Sequence, residues 1–68
     1  MYTIFDTVSN SPIFNVLASD GREALMKFMA VRQLRADYEI RNEDGQWILM
    51  NSWGSKFVAV EFENGMVI

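Results

Sequence analysis

Between Tyr38 and Phe62 the chain alternates strand and turn signals so regularly that the rest of it must pack around them. Tyr38-Glu39-Ile40-Arg41 sets apolar and charged residues at alternate positions, the period-2 pattern of a strand with one buried face. Asn42-Glu43-Asp44-Gly45 supplies turn formers, with Gly45 able to take the positive φ of a tight hairpin. Trp47-Ile48-Leu49-Met50 and Phe57-Val58-Ala59-Val60 follow, apolar at every position and separated by a second turn at Trp53-Gly54. The segment reads as three antiparallel strands. Strands apolar on both sides must be covered on both sides, or cover something else.

The N-terminal half supplies the remaining layers. Tyr2 to Val8 is rich in β-branched and aromatic residues and reads as a first strand. Ser9-Asn10-Ser11-Pro12 is a turn cluster, and Ile13 to Ala18 a second strand that closes an opening hairpin. A helix then starts at Ser19-Asp20-Gly21-Arg22-Glu23. Asp20 and Glu23 have capping-box spacing, with Ser19 as an alternative cap. Ala24, Leu25, Phe28 and Val31 fall on one helical face, Arg32 projects near it, and Met26, Met29 and Ala30 point away. The regular helix is expected to end between Val31 and Leu34. Glu63-Asn64-Gly65 is a further turn signal, after which Met66-Val67-Ile68 is long enough only for a short last strand. The expected fold class is α+β: a five- or six-stranded antiparallel sheet in the order β-β-α-β-β-β, with one helix packed on one face, residues 1–68 forming one domain.

A helix of about 13 residues is roughly 20 Å long and about 10 Å wide, enough to cover two or three strands spaced about 4.8 Å apart. Alternation therefore puts much of one apolar set, Phe5, Ile13, Leu17, Ile48, Met50 and Phe57, on the face opposite Ile4, Phe14, Val16, Trp47, Leu49 and Val58. Strong sheet curvature would bury both sets. Otherwise the second face, or a sheet edge, is expected to make a homodimer or a partner interface.

Composition narrows the chemistry. The chain has no His and no Cys, which removes the usual general base, the thiol nucleophile and the common zinc ligands, and excludes Ser-His-Asp catalysis. Asp37, Glu39, Glu43 and Asp44 form the one close carboxylate group, read as a solvated strand face plus turn residues rather than a Mg²⁺ or acid–base site. Isolated turn glycines lack phosphate-cradling spacing. The expectation is a non-enzyme with no cofactor, no metal and no small-molecule substrate. No run approaches the roughly 20 apolar residues of a membrane span and the N-terminus does not open as a signal peptide, so a cytoplasmic location without membrane partners is expected.

The net charge of −3 is unevenly spread. Arg22, Lys27, Arg32 and Arg35 against Glu23 make the helix region basic, while six carboxylates beyond Ala36 face only Arg41 and Lys56. Two binding modes follow. Arg22, Lys27, Arg32 and Arg35 near the helix, Arg32 and Arg35 above all, with Trp47, Trp53 and Phe57 able to stack on bases, would suit nucleic acid, although the acidic sheet opposes phosphate. Trp53, on a turn, suits a protein partner, since exposed aromatics are typical binding anchors. Lys56, Phe57 and Met50 lie beside it in sequence, and Met26 is a soft contact off the helical core stripe. The alternative for Trp53 is a lid folded back on a small core.

The layout Tyr2-x-Ile4, then Val16-x-Ala18-Ser19 leading into a helix near Glu23-Ala24, then Ile40, Gly45-x-Trp47 and Gly54 with Phe57-Val58, resembles some small phage-encoded anti-CRISPR proteins. The resemblance covers most of the chain as a pattern of elements. It implies one helix on an antiparallel sheet and binding to a CRISPR effector protein, obstructing nucleic-acid entry or nuclease function. Such proteins often use sheet lysines, and this sequence offers only Lys56 there.

Overall fold

The computed structural model describes residues 1–34 and 37–61. Its elements are β1 (Tyr2–Asp6), β2 (Ser11–Val16), α1 (Gly21–Arg32), β3 (Glu39–Glu43), β4 (Gln46–Met50) and β5 (Lys56–Glu61). The order β-β-α-β-β-β and the α+β class are as expected, while a strand at Met66–Ile68 lies outside the described residues. All five strands form one antiparallel sheet in the spatial order β2-β1-β5-β4-β3. The β3-β4-β5 meander is thus extended by β1, which pairs Tyr2 with Glu61 and Asp6 with Phe57.

The opening hairpin lies two residues earlier than its turn formers suggest. β1 stops at Asp6 because its Oδ1 accepts from the Val8 N–H at 2.9 Å, an Asx turn that bends the chain at once. Asn10 completes the turn at φ 58°, and β2 begins at Ser11, carrying Pro12 on a sheet edge where its missing donor is tolerated. Ile4 pairs with Phe14 but Phe5 with Pro12, so Ile13 is the extra residue of a β-bulge. The bulge is why Ile13 and Phe14 both pack on the core.

Helix α1 starts at an Asp20 N-cap whose Oδ1 accepts from Glu23 N–H at 2.8 Å. The Glu23 carboxylate reaches back one residue further than in the usual capping box and accepts from Ser19 N–H at 2.6 Å. That bond, with a smaller contribution from the Lys27 charge, holds the Glu23 carboxyl below its ordinary range. The helix ends in a Schellman arrangement: Gln33 is left-handed at φ 55°, its N–H bonds Ala30 O, and Leu34 N–H bonds Met29 O.

Residues directly paired across an antiparallel sheet share a face. The helix side carries Ile4, Phe14, Ala59 and Trp47 in one row and Phe57, Leu49 and Ile40 in the next. With Ala24, Leu25 and Phe28 these form the core, and the Phe28 ring meets Phe14 in a tilted contact at 5.4 Å and Phe57 edge-on at 5.1 Å between centroids. Phe57 and Val58 therefore exchange the faces assigned from sequence. Val31 is largely exposed, since the buried stripe of the helix ends at Phe28, and the exposed Arg32 sets its guanidinium 5.3 Å from the Phe28 ring centroid. Met29 packs on the core beside Leu34 rather than pointing away from it.

The opposite face holds Thr3, Phe5, Ile48, Met50, Val58 and Val60. Ile48 and Thr3 are buried and the other four are half-buried. Thr3 satisfies its hydroxyl by donating to Asn15 Oδ1 at 2.7 Å. The wide apolar face expected from sequence is thus largely shielded, and the strongly exposed hydrophobic residues stand elsewhere.

Candidate functional site

The two most exposed large hydrophobic residues among those described are Trp53 at 84% and Val8 at 77%. They come from different turns at the same end of the sheet. Thr7 N–H and Thr7 Oγ1 both donate to Lys56 O, each at 3.0 Å, which ties the β1–β2 turn to the start of β5 immediately after the Trp53 turn.

Each apolar residue is held by the same local device. In the β4–β5 turn, Asn51 Oδ1 accepts from Trp53 N–H at 3.1 Å and from Ser55 N–H at 3.0 Å. Asn51 N–H to Ser55 O and Gly54 N–H to Asn51 O close the loop, and Gly54 supplies the φ of 97° that a side chain would resist. In the β1–β2 turn, Asp6 Oδ1 plays the corresponding part for Val8 N–H. In both cases a side-chain acceptor two residues upstream fixes the backbone of the exposed apolar residue. Trp53 is therefore no lid. Its backbone is fixed and its indole stands in solvent.

Of the residues singled out in the sequence, this end gathers Met50, Trp53 and Lys56. Met50 pairs with Lys56 across the sheet, and Arg41 Nη1 lies 3.9 Å from Met50 Sδ while Arg41 Nε is 4.0 Å from Glu39 Oε2. Phe57 turns to the other face, against Phe28 and Tyr38, because strand alternation opposes it to its neighbour Lys56. Met26 is half-exposed on the outer side of the helix. Arg32 is exposed, with its guanidinium over the Phe28 ring, and Arg35 is outside the described residues.

The helical cations do not line up. Arg22, Lys27 and Arg32 are five residues apart, about 140° round an α-helix at each step. Lys27 Nζ is further committed to Leu17 O at 2.8 Å.

At the far end of the sheet an open cleft of about 680 Å³ includes Tyr2, Asp20, Gly21, Trp47 and Glu61 in its lining. Burial, and then the charges of Glu61 and Asp20, push the Tyr2 phenol above its ordinary value. Among the described residues no three of His, Cys, Asp or Glu are grouped to hold a metal ion. Glu39 and Glu43 sit at opposite ends of β3, which separates the carboxylates that are close in sequence. No helix among the described residues is long and apolar enough to cross a membrane.

Sequence reasoning missed Val8, taken there as the end of a strand. The usable signal was the spacing Asp6-x-Val8, matched by Asn51-x-Trp53. Comparison with protein-family models, with curated proteins and with solved structures finds no match for this chain.

Proposed function

We propose that the chain is a non-enzymatic protein-interaction module whose anchor is Trp53. The observation that carries this reading is an indole 84% exposed on a turn that Asn51 closes with two hydrogen bonds. A backbone already fixed removes one part of the ordering cost of inserting an aromatic anchor into a pocket, leaving its side-chain torsions to be restricted on binding. Val8, tied close by through Thr7 and Lys56, adds a second apolar contact at the same end. The layout resemblance to phage anti-CRISPR proteins makes a CRISPR effector protein the first partner to test. The nucleic-acid alternative rests on Arg22, Lys27 and Arg32, whose spread round the helix supplies no continuous basic track.

The test compares the native protein with Trp53→Ala and Arg22→Ala/Lys27→Ala in binding a purified effector complex by calorimetry. A stoichiometric complex lost only in Trp53→Ala supports the reading. Binding unaffected by Trp53→Ala, or salt-sensitive RNA or DNA binding lost in the Arg22/Lys27 variant, replaces it.

A further inference from the structure

The cleft at the end of the sheet away from Trp53 sets two aromatic rings among carboxylates. Its lining comes from both faces, and Lys56, its single cation, stands on the face away from the helix. On the helix side the register fixes the neighbours. β5 runs between β1 and β4, so Glu61 is paired with Tyr2 and Ala59 with Trp47, and all four share that face. Gly21 is seated against Trp47, which brings the preceding residue, Asp20, over the same spot. Asp20 and Glu61 are near enough to the half-buried Tyr2 phenol for both charges to oppose its ionisation. Asp44, on the β3–β4 turn, adds a third carboxylate.

These acids are not neutralised from within. Asp20 commits Oδ1 to the Glu23 N–H. Among the described residues its Oδ2 and the Glu61 and Asp44 carboxylates have no hydrogen-bond or ion-pair partner. Nor do they converge on a point where a metal ion could sit. The negative charge is spread round two ring systems.

We propose that this cleft takes the guanidinium of an arginine side chain presented by a partner protein. A guanidinium is planar and weakly hydrated, stacks on aromatic faces and donates to carboxylates through several N–H groups at once. Its distributed charge matches acids placed round rings better than a point cation does. The cleft is open, so a free small molecule would stay largely in water there. A side chain arrives with the surrounding surface of its own protein, which closes the cleft over it.

Fluorescence of the full chain carrying Trp53→Phe tests this. Trp47 is then the single indole, so the readout is independent of the Trp53 anchor. The probe is acetyl-Gly-Arg-Gly-amide, with its citrulline counterpart as a neutral match of the same shape. The arginine peptide is expected to change Trp47 emission saturably and less tightly in high salt, and the citrulline peptide to leave it unchanged. Asp20→Asn with Glu61→Gln preserves side-chain shape and the helix cap, and should weaken binding about threefold or more. Tyr2→Leu should weaken it about two- to tenfold with circular dichroism retained. No saturable response to the arginine peptide, an equal response to the citrulline peptide, or undiminished binding by Asp20→Asn/Glu61→Gln overturns the inference.

Discussion

Gly21 and Trp47 meet so closely that a side chain at position 21 has no room: a Cβ there would stand 2.7 Å from Trp47 Cδ1 and 3.0 Å from both Cβ and Cγ. The obstruction is the root of the indole, which cannot swing aside without leaving β4. The first turn of α1 is thereby seated directly on the sheet. Gly21→Ala should destabilise the fold by about 1–3 kcal/mol through overpacking, although alanine is the better helix former. Thermal unfolding checks this, since about 1 kcal/mol moves the midpoint of a domain this small by about 4–8 °C.

Phe28 is the largest fully buried side chain among the described residues, 1% exposed and in ring contact with Phe14 and Phe57. Phe28→Ala should cost about 3–5 kcal/mol, most of the stability available to a chain of this length. Loss of the cooperative transition in urea at 25 °C is the expected result.

Gln33 holds a left-handed conformation at the end of α1 without help from a glycine. Gln33→Gly keeps the two Schellman hydrogen bonds and removes the steric cost of the Cβ, offset in part by the greater freedom of glycine when unfolded. A gain of a few tenths to about 1 kcal/mol in urea denaturation is expected.

Glu23 accepts the Ser19 N–H, which holds its carboxyl below the ordinary glutamate range. A depressed folded-state pKa means that the ionised form favours the folded chain. The stabilisation is complete above the unfolded-state value, near 4.5, and is lost as pH falls through the lower folded-state value. The native chain should therefore exceed Glu23→Gln in melting temperature at neutral pH, and the difference should vanish in acid.

The two tryptophans should separate in fluorescence. Trp53 is exposed and Trp47 is half-buried over Gly21. Trp53→Phe should remove the red-shifted, iodide-quenchable part of the emission and change stability by less than about 0.5 kcal/mol. Persistent strong quenching in that variant would contradict the seating of Trp47.

The meander was legible because its code is local. Asp44-Gly45 takes φ of 54° and 84°, the paired positive values of a tight two-residue hairpin, as the sequence of that turn predicts. The capping residues of α1 were readable for the same reason. What was not readable depends on distance or on competition between neighbours. That β1 pairs with β5 follows from which apolar face needs a partner, a matter of Ile4 meeting Ala59 rather than of any nearby residue. The hairpin phase turned on Asp6 bonding Val8 before Pro12 could act as the turn. For the candidate site, the exposure of Trp53 was open in the sequence because a lid and an anchor share the same residues. Its hydrogen-bonded turn decides between them only in three dimensions.

The pairing of Tyr2 with Glu61 joins the first strand of the chain to the last strand described. A ribosome emits β1 with the β2 hairpin and the helix first, and the sheet that joins them to the meander cannot close until β5 emerges. Closing that span requires ordering most of the chain at once, so folding should be late, cooperative and slow for so short a sequence. Until then the apolar faces of β1 and α1 wait unprotected, and a stop or cleavage before β5 would leave a fragment with an open centre rather than a smaller version of the same fold.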